Sequence, residues 1–214
     1  MPSRTIVVPA NARSRRTRGA LLAAARSILE EHGFEALTMT AVAERATVTR
    51  GAAYLHFPSR TELVAALFDY VADAEGLHES LREVWAAPDA ASTLDRWAAH
   101  LATYHPRLLA VDRALQQVWR RDPDAAAHRA RVVHAQLANC RRITRRLVDD
   151  GHLAPGWTIR SATDMLYALI SSDIVEGLLV DRHWSTARLA RHLALLLRST
   201  FLTAADTSDP PTSP

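Results

Sequence analysis

Residues 37–63 read LTMTAVAERATVTRGAAYLHFPSRTEL, and their pattern is the strongest indication of the fold. In it, threonines stand directly before two short runs of helix-forming residues, where a hydroxyl can cap the first turn. Pro58 closes the second run because its ring prevents the helix from continuing. The pattern predicts helices over Met39–Ala46 and Arg50–His56, joined by a turn at 47–49.

We interpret this arrangement as a helix-turn-helix between Thr38 and Phe57, whose second helix enters the major groove of DNA. Arg50 stands at the start of that helix, and its guanidinium can donate two hydrogen bonds to a guanine edge. Gly51 and Ala52 keep the first turn narrow, as entry into the groove requires. The sequence therefore predicts a protein that reads duplex DNA.

The charge distribution supports this interpretation. All 26 basic residues are arginine; residues 1–60 hold nine of them against four carboxylates, whereas residues 61–214 hold 17 against 19. Four arginines crowd the start of the first predicted helix, where the helix dipole favours acids: Arg13, Arg15, Arg16 and Arg18. A nearby polyanion would remove this conflict, although arginines solvated on a frayed terminus are the alternative.

The stretch resembles the DNA-binding domain of TetR-like transcriptional regulators. The resemblance covers about Thr17–Leu67, including Glu31-His32-Gly33-Phe34. Its most specific part is the spacing Gly51-x-x-Tyr54-x-x-Phe57-x-Ser59-Arg60-x-Glu62-Leu63. The resemblance implies an all-α, nine-helix homodimer in which three N-terminal helices bind operator DNA. The remaining helices are implied to bind a small-molecule effector and to dimerise through the last two.

The resemblance also implies individual contacts: phosphates for Thr38, Tyr54, His56 and Arg60, and base edges for Thr40, Arg50, Gly51 and Ala52. With the N-terminal arginines and the cap of the second helix, the predicted DNA-binding set is Arg15, Arg16, Thr38, Thr40, Thr49, Arg50, Gly51, Ala52, Tyr54, His56 and Arg60.

Two residues depart from the family pattern. Thr47 stands where glycine is common, so we expect a β-branched residue in the turn to take a positive φ. Ala53 replaces a larger apolar residue and should loosen the packing of the second short helix. We expect Leu55 and Phe57 to face inward.

The chain divides into four predicted segments: a flexible arm at 1–12, the DNA-binding domain at 13–60, a regulatory and dimerisation domain at 61–204, and a disordered tail at 205–214. Prolines, glycines and capping residues predict nine helices: 15–32, 39–46, 50–56, 60–85, one ending near 104, one ending near 121, 122–151, 159–180 and 185–203.

The regulatory segment carries large apolar or amphipathic side chains with two histidines nearby, the composition of a small-molecule site, although tryptophans at helical spacing are equally typical of plain core. The predicted ligand-binding residues are Trp97, His100, Leu101, Tyr104, Leu115, Trp119, His134 and Tyr167. Helices that are apolar on more than one side need a second partner. The predicted dimer interface is Leu166, Ile170, Ile174, Leu178, Leu193, Leu195 and Leu197.

Other functional classes find less support. Cys140 is the single cysteine, so no disulfide can form within the chain, and its place on an apolar stripe favours a buried hydrophobe over a redox sensor. No histidine pattern has metal-ligand spacing, no catalytic motif is present, and no apolar run is long enough to cross a bilayer. We expect a cytoplasmic repressor without a cofactor, released from a palindromic operator by an unknown effector. There are two alternatives: an all-helical enzyme that carries such a DNA-binding domain, and an adaptor protein that binds no ligand.

Overall fold

The structure is a computed structural model that describes residues 12–203. The predicted all-α class is confirmed within these residues. Their α-helices are α1 Ala12–His32, α2 Met39–Arg45, α3 Arg50–His56, α4 Arg60–Ala74, α5 Leu77–Trp85, α6 Ala90–Tyr104, α7 Leu109–Val118, α8 Pro123–Asp149, α9 Ile159–Ala168, α10 Ser172–Glu176 and α11 Thr186–Phe201. A 3₁₀ turn at His105–Leu108 precedes α7, and a π-helical turn at Gly177–Asp181 follows α10. The predicted tail, and all of the predicted arm except residue 12, lie outside the described residues.

Two helices predicted as continuous are interrupted. The helix predicted over 60–85 breaks at Gly76, which takes φ +78° and separates α4 from α5. The helix predicted over 159–180 breaks before Ser171, whose side chain accepts a hydrogen bond from the Asp173 amide and starts α10. Neither break contains a proline; a glycine in the left-handed conformation marks the first, and only a capping serine marks the second.

The described chain divides into two compact units. The first unit comprises residues 12–78 and 107–133. Its core is formed by apolar faces of α1, α2, α3 and α4, with Leu29, Val42, Phe57 and Leu67 among its buried side chains. This core holds the helix-turn-helix together.

The second unit comprises residues 79–106 and 134–203. Trp97 of α6 and Leu197 of α11 are buried in its core. Cys140 of α8 is fully buried there as well, and burial raises the pKa of its thiol to about 12. The predicted role of Cys140 as a buried hydrophobe is confirmed.

The packing of this unit corrects the predicted dimer interface. Four of the predicted interface residues belong to the core of their own chain: Leu166, Ile170, Leu193 and Leu197. Ile174 and Leu178 are half-buried, whereas Leu195 is 60% exposed. The large apolar side chains that α9 and α11 leave exposed are Ile159, Met165, Leu195 and Leu196. One side of each helix is already occupied within the chain, so a partner can use only the other side.

A search of residues 12–203 for a helix of membrane-spanning length and hydropathy finds none.

Candidate DNA-binding surface

The two helices of the helix-turn-helix, α2 and α3, are capped as the sequence predicts. The hydroxyl of Thr38 accepts a hydrogen bond from the Ala41 amide at 3.1 Å and starts α2. In the same way, Thr49 accepts from the Ala52 amide at 3.2 Å and starts α3. These caps fix the first turn of each helix, and each hydroxyl keeps its own hydrogen for donation.

The turn between α2 and α3 contains the expected strain. Thr47 adopts φ +56° and its side chain is exposed. The left-handed conformation costs a non-glycine residue about 1–2 kcal/mol. The predicted positive φ is therefore confirmed at this position.

We expect Thr47→Gly to stabilise the first unit by roughly 0.5–1 kcal/mol, because relief of this strain exceeds the entropy that glycine adds to the unfolded chain. Urea unfolding followed by circular dichroism measures the change. Thr40 is exposed in the first turn of α2, so Thr40→Gly is the matched control and should destabilise by a few tenths of a kcal/mol. A loss of stability in Thr47→Gly would contradict the assignment of strain.

The outward face of α3 presents the predicted DNA-reading residues. Ala53 is fully buried and Phe57, one turn later, is 1% exposed, so these two define the inward face. Arg50 and Gly51 are exposed in the first turn, and the Arg50 guanidinium carbon lies 5.5 Å from the centre of the Tyr54 ring. The ring pre-orients the arginine beside the N-terminus of the helix.

Leu55 does not face inward as predicted: 86% of its surface is exposed. The reason is helical geometry, since a residue midway between Ala53 and Phe57 points away from the core that both of them enter. An exposed leucine on this face is available for apolar contact with a thymine methyl or a deoxyribose.

Arg18 has a structural role in addition to its charge. Its guanidinium donates a hydrogen bond to the His56 carbonyl oxygen at 3.1 Å and lies 4.3 Å from the centre of the Phe57 ring. Burial, reinforced by the Arg18 charge, lowers the pKa of His56. His56 is therefore neutral at neutral pH and can serve a phosphate only as a hydrogen-bond donor.

Arg60 has a different role from the predicted phosphate contact. Its guanidinium donates to the Leu37 carbonyl at 2.7 Å and to the Phe34 carbonyl at 3.0 Å. It also forms ion pairs with Asp122 and Asp124. Burial opposes ionisation of Asp122, yet the hydrogen bond from Arg60 leaves its pKa below the ordinary value. Arg60 thus holds the first unit together, and its donors are already used within the chain.

Other ion pairs neutralise three carboxylates of the first unit. Arg26 pairs with Glu30 at 2.7 Å and with Glu75 at 2.8 Å, and Arg45 pairs with Glu31 at 2.7 Å. By contrast, four exposed arginines of α1 and α3 make no ion pair within residues 12–203: Arg13, Arg15, Arg16 and Arg50. Their charge remains available to a polyanion.

The predicted ligand-binding residues fall into separate places. Leu115 and Trp119 pack in the core of the first unit. Tyr167 packs against the core of the second, and His134 lines an open pocket there. The predicted ligand-binding residues are thus divided between the two units.

The other four predicted ligand residues, Trp97, His100, Leu101 and Tyr104, are buried on α6. The His100 ring lies 5.0 Å from Trp97 and 5.3 Å from Tyr104, and its Nδ1 is 2.7 Å from the Ser80 hydroxyl. His105, which sequence reasoning left out, lies 6.3 Å from His100 in a T-shaped arrangement. Trp97 Nε1 and His105 Nδ1 are buried without a hydrogen-bond partner.

Burial lowers the pKa of both histidines, to about 3 for His100 and about 4 for His105. The proximity of His105 adds to the effect on His100. Both imidazoles are neutral at neutral pH. In residues 12–203, no group of three or more histidine, cysteine or carboxylate side chains is arranged to hold a metal ion.

Comparison with known proteins identifies the N-terminal helices. Residues 21–67 match the family model described as bacterial regulatory proteins, tetR family. A probable HTH-type transcriptional regulator of Pseudomonas putida, ArpR, is 37% identical over 79 residues, which are 37% of this chain and 35% of that protein. The alignment therefore spans about a third of the length of that relative.

Solved structures resemble a larger part of the chain. NalD, the secondary repressor of the MexAB-OprM multidrug efflux pump in Pseudomonas aeruginosa, superposes with a TM-score of 0.66 at 25% identity, over 89% of this chain and 98% of that one. FadR from Bacillus subtilis, solved in complex with stearoyl-CoA, has a TM-score of 0.66 at 19% identity over 85% and 98% of the two chains. The fold thus extends beyond the N-terminal domain.

Proposed function

We propose that the chain is a regulator of the TetR type, as the match of residues 21–67 indicates, and that it represses transcription by binding a palindromic operator and is released by a small-molecule effector. The family is one of regulators and not of enzymes. The observation that supports DNA binding most strongly is the set of exposed, unpaired arginines on α1 and α3. They lie on helices of the first unit. Phosphate contacts supply a large share of the affinity of DNA-binding proteins.

Individual roles follow from the geometry of this surface. Arg50, stacked beside Tyr54, reads a guanine edge, and Gly51 and Ala52 let the helix approach. The capping hydroxyls of Thr38 and Thr49 donate to phosphates, together with Tyr54, Thr40 and neutral His56. Arg15 and Arg16 add charge without base preference. We leave Arg60 out of the contact set because its donors are already used within the chain.

A symmetric dimer would carry two copies of this DNA-binding surface, so its operator would contain two half-sites related by the same two-fold symmetry. We propose that the dimer forms through exposed apolar residues of α9 and α11, including Met165, Leu195 and Leu196. Release is then a population shift: the effector binds more tightly to the conformation that fits the operator less well.

Arg50→Ala should lower affinity for the selected operator by about 1–3 kcal/mol and relax the preference at one base pair of each half-site. The measurement is selection of genomic fragments by the purified protein, followed by fluorescence anisotropy on the selected site and on random DNA. Arg15→Ala is the matched control, since loss of a phosphate contact should weaken both DNAs alike. Equal losses on both DNAs for Arg50→Ala would refute its role as base reader, and absence of any selected sequence would refute the proposed function.

A further inference from the structure

An open pocket of about 740 Å³ lies in the second unit. Its walls come from α5, α6 and α8, and its polar lining is dominated by one helix. The lining residues that carry charge or a large ring are Trp85, Arg141, Arg142, Arg145, Arg146 and Asp149. The volume lies within the range of about 300–1,000 Å³ that small-molecule sites occupy.

Two of the four arginines already have partners. The Arg142 guanidinium carbon lies 4.1 Å from the centre of the Trp85 ring. Arg146 donates to the Ala87 carbonyl at 2.7 Å and lies 3.8 Å from a carboxylate oxygen of Asp150. These contacts fix the outer walls of the pocket.

Arg141 and Arg145 are exposed and make no ion pair within residues 12–203. They are one helical turn apart on α8, so their side chains are neighbours on one face. Like charges at this spacing destabilise a helix, and a bound anion would reverse the sign of the interaction. Two adjacent guanidinium groups also match the oxygens of a carboxylate or phosphate, each by paired hydrogen bonds.

Apart from the arginines, Asp149, Thr93 and His134, the pocket lining is apolar. Leu137 and Ile143 line it, and the Trp85 ring forms one side. A fully hydrated inorganic ion would leave this surface unused. The lining therefore suits a molecule with an anionic group at one end and an apolar body at the other.

We propose that this pocket binds an organic anion, with its carboxylate or phosphate held between Arg141 and Arg145 and its apolar part against Trp85 and Leu137. The identification of this anion as the effector rests on the proposed regulatory function. The buried cluster around Trp97 is less suited to an anion, because His100 and His105 are neutral at neutral pH and supply no positive charge.

The test is isothermal titration calorimetry on the full chain without DNA, using octyl phosphate, octanoate and the neutral octanol. We expect at least one of the anions to bind and octanol not to bind. In Arg141→Gln/Arg145→Gln, the Kd of the bound anion should rise about tenfold or more, because charge-assisted hydrogen bonds are lost. The control is Arg160→Gln/Arg182→Gln: both arginines are exposed in the same unit and neither lines the pocket, so the Kd should stay within about twofold.

Circular dichroism of each variant establishes that the helices are retained. Binding of neither anion, equal binding of octanol, or an unchanged Kd in Arg141→Gln/Arg145→Gln would overturn the proposed site. Operator affinity of the ligand-free protein is measured separately, and its absence counts against the regulatory function and not against the pocket. Dissociation of the operator complex by the anion in the wild type, but not in Arg141→Gln/Arg145→Gln, would support the identification as effector; an undisturbed complex would refute it.

Discussion

Acidification from pH 7.5 to 5 is expected to unfold the protein or bring it close to unfolding. Three histidines are buried with depressed pKa values: about 3 for His100, about 4 for His105 and about 3 for His128. Burial is the main cause for each, with a smaller contribution from His105 to His100 and from Arg131 to His128.

In the folded chain these imidazoles stay neutral down to about pH 4, whereas in the unfolded chain they take up protons below about 6.5. The unfolded state therefore binds more protons between these limits, and stability falls as the pH falls. Each histidine should remove about 2 kcal/mol of stability between pH 7.5 and 5. His100 and His105 both lie in the second unit, which should therefore lose about 4 kcal/mol, close to the whole stability of a marginal domain.

Urea unfolding at several pH values measures this slope. His105→Leu should reduce it by about a third, since one titrating group is removed and no described hydrogen bond is lost from its unpartnered Nδ1. Gln117 is the control position: it is exposed and carries no titratable group, so Gln117→Leu should leave the slope unchanged. A stability that does not vary between pH 7.5 and 5 would mean that the buried imidazoles become protonated without opening the fold.

Arg60→Ala should destabilise the first unit by about 2–3 kcal/mol. The substitution leaves Asp122 and Asp124 without their cation and the Leu37 and Phe34 carbonyls without their donor. We expect a smaller loss of stability than the about 3–5 kcal/mol typical of a fully buried ion pair, because the Arg60 side chain is 23% exposed. Urea or thermal unfolding followed by circular dichroism measures it.

Two further variants separate this structural role from a phosphate contact. Arg60→Lys keeps the charge but lacks the fork that spans four acceptors, so it should recover only part of the stability. Arg15→Ala, at an exposed arginine without an ion pair, should change stability by less than about 0.5 kcal/mol while lowering DNA affinity. If Arg60→Ala instead folded as stably as the wild type and only bound DNA less tightly, Arg60 would be a phosphate contact and not a structural residue.

The helix-turn-helix was predictable because its signals are local. The hydroxyls of Thr38 and Thr49 cap helices that begin with the next residue, and the amides they accept from lie three residues away. The positive φ of Thr47 follows from a turn whose length is set by those caps. No distant contact is needed to explain these features, so propensity and spacing were sufficient.

Local sequence signals were therefore sufficient to predict the all-helical class, the N-terminal helix-turn-helix and the charged surface that we propose binds DNA. Only the tertiary structure decided that Arg60 bonds to Asp122, 62 residues away, that Leu166 and Leu193 fill their own core, and that Arg141 and Arg145 line a pocket. The physical reason is range. Caps and turns act over about four residues, whereas an amphipathic helix has several apolar positions, and only its neighbours in space determine which of them are buried.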